Sequence, residues 1–161
     1  MKKWLAITAL LICMITLSSC SSEAKNENYL GFSRKGFSVV AEQDTHGGFH
    51  GDGFYNLTLD CSKNAEAALK AVENWNAFPL PENLSLILYG GERDGVGYKF
   101  NLAEKAKIPA IENGFYCFLD RHSEASNPSD DADLFDRASM NFSLALYDSD
   151  TNKFYYIEFD T

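Results

Sequence analysis

The residues most able to carry chemistry lie in one glycine-rich stretch, DTHGGFHGDG, at 44–53. It holds two of the three histidines of the chain, four residues apart, together with two aspartates. Imidazole and carboxylate groups are ligands that zinc accepts, and a zinc site with an open position activates water for hydrolysis. The third histidine lies far along the chain, so a shared site requires a fold that joins two loops. The candidate zinc ligands are His46, His50, Asp52 and His122, and apart from this possible zinc we expect no cofactor.

A structural interpretation of the same stretch stays open. Glycines adopt the backbone conformations that loops between strands require. They also disfavour a helix here, so His46 and His50 do not share a helix face as they would in an HExxH motif. A histidine in such a loop can hydrogen-bond the backbone or stack on Phe49. The stretch therefore predicts either an ordinary loop or a metal or catalytic site.

The segment 148–152 has the pattern D-x-D-x-N with which calcium-binding loops begin. The sixth position is Lys153, where such a loop needs glycine, and the twelfth is Phe159 rather than glutamate. Aspartate and asparagine side chains also accept hydrogen bonds from the backbone of tight turns. We therefore predict a hairpin turn at this segment, and a solvated loop for the acidic stretch 122–136.

Patterns typical of covalent catalysis or phosphate binding are missing from the sequence. There is no G-x-S-x-G motif, and no local signature links a cysteine to a histidine. The glycines at 90, 91, 95 and 97 are not followed by the Lys-Ser or Lys-Thr pair of a phosphate-binding loop. The sequence therefore favours a binding protein over an enzyme.

Hydrophobic periodicity predicts an α+β fold. We expect strands at 36–42, 53–60, 84–89, 96–100, 115–119, 140–147 and 154–159. We expect one main helix over 62–76, in which apolar residues recur at helical spacing and which Pro79 prevents from continuing. The run 84–89 is predicted as a central strand, and 102–107 as a single helical turn. The last two strands form a C-terminal β-hairpin, so the sheet is mostly antiparallel.

The first twenty residues of the chain have the features of a targeting signal. Two lysines precede an apolar run over 5–17, and the sequence Leu-Ser-Ser-Cys ends at Cys20. The run is too short to span a bilayer comfortably. The arrangement resembles bacterial lipoprotein signal peptides, which implies a diacylglyceryl and palmitoyl anchor on Cys20 at the extracytoplasmic face of the cell membrane. An uncleaved anchor or an ordinary secretory signal stays open. The predicted parts are a signal peptide (1–19), a lipidated cysteine with a polar tether (20–28) and a single domain (29–161).

The remaining cysteines, Cys61 and Cys117, form an even pair in that domain. Outside the cytoplasm a disulfide between them is permitted. Closing a loop of that length would stabilise the fold by roughly 4 kcal/mol on the chain-entropy model. The alternative is two separate buried thiols that pack as small apolar side chains.

The charge of the chain is strongly negative. Without Lys2 and Lys3, 12 of the 14 basic side chains would remain against 23 acidic ones, a formal charge of −11. Such a surface repels nucleic acid and anionic lipid headgroups and suits a cationic partner or a divalent metal. We expect no nucleic-acid partner.

Five segments of the domain together resemble a set of small, uncharacterised bacterial proteins. They are DTHGGFHGDG, PLPENL, LYGG, DRHSEASNPSDD and LALYDSDTNKFYYIEFDT. The resemblance implies no catalytic residue. We therefore expect a monomeric, lipid-anchored extracytoplasmic protein that binds a protein or small ligand. The alternatives are a zinc-binding protein or zinc-dependent hydrolase, and an immunity-type protein that neutralises a basic toxin.

Overall fold

The computed structural model describes residues 28–47 and 51–161, and in this part the chain has the predicted α+β fold. Its helices are α1 (Ala65–Val72), α2 (Glu82–Tyr89) and α3 (Leu102–Ala106). Its strands are β1 (Asn28–Tyr29), β2 (Phe32–Ser33), β3 (Ser38–Asp44), β4 (Gly53–Asp60), β5 (Asn76–Ala77), β6 (Gly91–Arg93), β7 (Val96–Tyr98), β8 (Gly114–Asp120), β9 (Asn141–Asp148) and β10 (Lys153–Asp160). None of the helices described here has the length and apolar character needed to cross a membrane. The predicted signal peptide and Cys20 lie outside the described residues.

Six strands form one antiparallel sheet in the order β3-β4-β10-β9-β8-β5, and β1–β2 and β6–β7 are separate hairpins. The predicted C-terminal hairpin is confirmed as β9–β10, at the centre of the sheet. The turn that joins these strands is held by Asp148, whose carboxylate accepts hydrogen bonds from the backbone N–H groups of Asp150 and Thr151. The D-x-D-x-N segment therefore has the predicted turn structure.

Side chains alternate between the two faces of the sheet along each strand, and both faces are covered except at β3, which is mostly exposed. On one side, which we call the α1 face, α1 and the β1–β2 hairpin pack on the strands. The buried residues of this layer include Tyr29, Phe32, Leu57, Ala68, Val72, Tyr147 and Phe154. On the other side, the α2 face, α2 and α3 pack on the sheet. Its buried residues include Leu84, Ile87, Leu88, Leu102, Phe142, Leu144 and Leu146. The central strands β9 and β10 are consequently buried over most of their length.

The prediction of a strand at 84–89 is wrong, since α2 occupies this segment. A short apolar run fits a buried strand or a buried helix equally well. The side chains of Leu84, Ile87 and Leu88 lie at i, i+3 and i+4 and all enter the α2-face core. The helix ends at Gly90, which adopts a φ of 71° and donates its N–H to the Leu86 carbonyl. Helical spacing, not alternation, thus describes this run.

The helix predicted over 62–76 is shorter than expected. A 3₁₀ turn at Ser62–Asn64 leads into α1, which ends at Val72. The Ser62 hydroxyl does not cap the helix but donates to the Asp60 carboxylate. Asn76, where the predicted helix ends, instead begins the short edge strand β5, which pairs with β8.

In the described structure Cys61 and Cys117 are both free thiols. Cys61 follows β4 and Cys117 lies in β8, with β10 and β9 between these strands. Three interstrand spacings separate β4 from β8 by about 14 Å, whereas bridged cysteines need Cα atoms within about 7 Å. Both side chains belong to the α1-face core. Burial and the neighbouring Asp60 charge raise the pKa of Cys61 to about 12.

Candidate functional site

His46 lies at one end of the sheet, between two carboxylates. Its Nδ1 is 2.7 Å from Asp44 Oδ1, and its Nε2 is 2.9 Å from Asp160 Oδ2. Asp44 ends β3 and Asp160 ends β10, and these strands flank β4 on either side. The imidazole therefore bridges the two strands over the beginning of β4. The carboxylates of Asp44 and Asp160 can both accept a hydrogen bond from the His46 ring only when each ring nitrogen carries a proton.

The chain around His46 is shaped for this contact. The Asp44 carboxylate accepts the backbone N–H of His46 at 2.8 Å, as an aspartate does in a tight turn. Burial disfavours the Asp44 carboxylate, but the hydrogen bonds from His46 outweigh it and lower the pKa of Asp44. A Cβ atom at Gly53 would lie only 2.5 Å from ring carbon Cδ2 of His46, so the ring needs glycine at this position.

A polar network continues from Asp160 across the α1 face. Arg121 donates from Nη2 to Asp160 at 2.9–3.0 Å and from Nε to the Ser143 hydroxyl at 2.9 Å. The Tyr156 hydroxyl is 3.1 Å from the same Ser143 oxygen and also contacts the Glu158 carboxylate. The network joins the neighbouring strands β10 and β9 to the segment that follows β8.

A second group of polar side chains lies beside this network. The Tyr55 hydroxyl is 3.0 Å from the Tyr29 hydroxyl and donates to Glu42 at 3.1 Å. Arg34 forms an ion pair with Glu42 at 3.2 Å. Burial, with the hydrogen bond to Tyr29, raises the pKa of Tyr55 well above its usual range. This group fixes the β1–β2 hairpin to strands β3 and β4.

Among the other predicted ligands, His122 has hydrogen-bond partners of its own. Nε2 of His122 is 3.0 Å from the Ser139 hydroxyl, and its Nδ1 accepts the Glu124 backbone N–H at 3.2 Å. Asp52 is exposed in the loop before β4, and His50 lies outside the described residues. Residues 28–47 and 51–161 contain no group of three or more His, Cys, Asp or Glu side chains arranged to hold a metal. The zinc site stays a prediction.

The pair of His122 and Ser139 has the residue types of a catalytic dyad but the opposite hydrogen-bond polarity. In a serine hydrolase the histidine Nε2 accepts the serine proton while Nδ1 donates to a carboxylate. Here Nδ1 accepts from the Glu124 backbone, so a neutral ring carries its proton on Nε2 and donates to Ser139. The histidine in this arrangement does not activate the serine as a nucleophile.

Of the two partners of His46, Asp44 belongs to the glycine-rich stretch singled out in the sequence, whereas Asp160 was not singled out as a site residue. Asp160 contacts His46 directly, Arg121 contacts Asp160, and Ser143 and Tyr156 extend the network. One signal was present, because Tyr156, Glu158 and Asp160 alternate along β10 and must share one face. Arg121 gave no comparable signal, since it lies in the turn after β8 and its direction depends on the fold.

No protein-family model, no curated protein and no solved structure matches this chain.

Proposed function

We propose that the chain is a lipid-anchored protein of the extracytoplasmic membrane face that binds a protein partner and catalyses no reaction. The observation that carries this proposal is that the histidine and serine side chains at this end of the sheet are hydrogen-bonded to other side chains of the fold. His46 contacts two carboxylates, and Ser143 is buried between Arg121 and Tyr156. These groups hold strands together, as a rigid binding domain requires.

The anchor follows from the sequence before the described domain. The apolar run, Leu-Ser-Ser-Cys and the polar tether that follows Cys20 have the order of a lipoprotein leader. Two acyl chains hold a protein stably at a membrane, whereas one chain gives marginal binding. A domain anchored in this way acts on molecules that reach the membrane surface.

The partner that the charge favours is a cationic protein. The domain carries a large excess of acidic side chains, and exposed charges attract an oppositely charged partner through a field that salt screens. Neutralisation of a basic toxin by an immunity-type protein is one form of such binding. The complex should therefore form fastest at low ionic strength.

The anchor can be tested in cells with the full chain and a chemically labelled palmitate. We expect the label on the wild-type chain and on Cys13→Ala, a matched control in the leader itself, and no label on Cys20→Ala. The Cys20→Ala chain should also leave the membrane fraction. Label retained on Cys20→Ala would overturn the anchoring proposal.

Partner binding can be tested by crosslinking the full chain in intact cells and identifying the attached protein by mass spectrometry. We expect a protein with a basic isoelectric point and a complex that dissociates as salt is raised. An acidic partner, or a complex insensitive to salt, would contradict the proposed electrostatic recognition.

A further inference from the structure

Two surface depressions meet at Tyr89, the last residue of α2. One lies toward α3 and the segment after it, and has a volume of about 280 Å³. The other lies toward the 78–80 segment and has a volume of about 360 Å³. Tyr89 lines both, and the consecutive residues 110 and 111 line one each, so the depressions are adjacent. We call them together the Tyr89 groove.

The lining of the Tyr89 groove is mostly apolar. Ile108 and Ala110 line the first depression, and Phe78, Leu80 and Ile111 line the second. Tyr89 itself is 40% exposed, although it is a large side chain at the end of a helix that packs on the sheet. Exposed apolar surface of this kind, centred on an aromatic ring, is typical of protein-binding sites.

The Tyr89 ring is held in a fixed orientation. Its hydroxyl donates to the Pro109 carbonyl at 3.0 Å, which ties the end of α2 to the segment that follows α3. Burial raises the pKa of this hydroxyl, so it stays a protonated donor. A ring fixed before binding loses little conformational entropy when a partner packs on it.

The charges of the groove indicate the sign of its partner. Glu104 lines the first depression and Glu112 the second, and no basic side chain is among the residues that line either one. Both glutamates are exposed. An apolar segment that carries lysine or arginine beside its apolar side chains would complement this surface, whereas anionic lipid headgroups would be repelled.

We propose that the Tyr89 groove is the docking site for a segment of a cationic protein, which places one apolar side chain in each depression and its basic side chains against Glu104 and Glu112. This inference rests on the proposed function and names the surface and the chemistry of the partner. The groove lies on the α2 face, and α1 covers the opposite face of the sheet.

Fluorescence anisotropy with two labelled synthetic peptides tests the charge requirement. The probe contains two leucines spaced by lysine and serine, and its counterpart has glutamate in place of lysine. We expect the lysine peptide to bind and the glutamate peptide not to bind. The double variant Glu104→Lys/Glu112→Lys should weaken binding by about tenfold or more, which corresponds to ~1.4 kcal/mol.

The matched control makes the same charge change on the other face of the sheet. Glu66→Lys/Glu73→Lys reverses two exposed charges at α1 and should leave the affinity within about twofold once long-range attraction is screened by salt. Equal weakening by both double variants would show diffuse attraction to an acidic surface and would overturn the proposal.

Two substitutions at the centre of the groove test the apolar requirement. Tyr89→Ala removes the ring that both depressions share and should abolish peptide binding. Tyr89→Phe removes only the hydroxyl, so this variant should fold and bind within about threefold of wild type, because apolar contact supplies most of the affinity. Unchanged binding by Tyr89→Ala would overturn the groove as the site. Binding to anionic vesicles that requires Tyr89 would replace the protein partner with a membrane.

The groove and the proposed function fail in distinguishable ways. If the lysine peptide does not bind the wild-type chain while a basic protein is still crosslinked in cells, the groove proposal is wrong and the binding function stands. If no basic protein is crosslinked in cells, the proposed function itself fails.

Discussion

His46 and Asp160 lie 114 residues apart in the chain and are joined at 2.9 Å through Nε2 and Oδ2. The contact depends on the strand order, because β3 and β10 must both flank β4 before the ends of the two strands come together. The His46 and Asp160 side chains are only 23% and 18% exposed, so water screens this contact less than a fully exposed ion pair. The pair therefore links the edge of the sheet to its centre.

The first prediction concerns the strength of this link. Asp160→Asn and His46→Ala should each lower the free energy of unfolding by about 1 kcal/mol, the value for a charge-assisted hydrogen bond discounted for partial exposure. Because the residues contact each other, the double variant should cost clearly less than the sum of the two single variants. Urea denaturation measures all three.

A second pair provides the control for that cycle. His122 has partners of its own in Ser139 and Glu124, so His46→Ala and His122→Ala should be additive within about 0.5 kcal/mol. If the effects of the two substitutions on the free energy of unfolding were strongly non-additive, the two histidines would interact and belong to one site.

The second prediction concerns stability in acid. Hydrogen bonds from the side chain and backbone N–H of Ser62, and the nearby Lys153, hold the pKa of Asp60 well below its usual range. A carboxylate with a lowered folded-state pKa stabilises the fold above its unfolded pKa of about 3.9, and this stability is lost as pH falls through the lowered value.

Removal of the Ser62 hydroxyl should reduce the dependence of stability on acidic pH. Ser62→Ala should lower the stability difference between neutral and acidic pH, and its cost should shrink as pH falls from the unfolded pKa of about 3.9 toward the lowered folded-state pKa of Asp60. Chemical denaturation across this range measures the effect. Ser149→Ala, in the β9–β10 turn, is a suitable control because its side chain has no role at Asp60. An equal acid dependence in Ser62→Ala and wild type would rule out the assigned cause.

The third prediction concerns the two thiols. A thiol reacts with disulfide reagents as its thiolate, and burial raises the pKa of both Cys61 and Cys117. In a chain with Cys13→Ala and Cys20→Ala, both should react slowly in the folded state and rapidly on unfolding. A reductant should leave the melting temperature unchanged. A melting temperature that falls with reductant would instead show that the bridge forms.

The sequence predicted the parts of this fold that depend on local pattern. Strand β4 has its predicted bounds because the strand pattern lies within 53–60 and turn-forming residues flank it. The strand prediction for 84–89 failed because a short, nearly continuous apolar segment does not distinguish a buried strand from a buried helix. The contact of His46 with Asp160 could not be predicted, since no local signal states which strands become neighbours. The sequence could not decide whether Cys61 and Cys117 are bridged for the same reason, because only the strand order shows that two strands separate them.

The fourth prediction concerns zinc. A ligand that binds only the folded chain at one hundred times its dissociation constant would stabilise it by about 2.7 kcal/mol, which a thermal melt detects readily. Both ring nitrogens of His46 already contact carboxylates, and the ring of His122 bonds Ser139 and Glu124. A zinc ion would have to displace these hydrogen bonds to reach either ring.

We therefore expect zinc to leave the melting temperature unchanged and the purified chain to contain no stoichiometric metal. His50→Ala serves as the companion variant, because His50 belongs to the same predicted ligand set. One equivalent of bound zinc that is lost in His46→Ala, His50→Ala and His122→Ala would contradict this expectation. It would show that the two histidine loops converge when metal is present, and a hydrolase assay would then be the next experiment, since zinc with three protein ligands leaves a position for water.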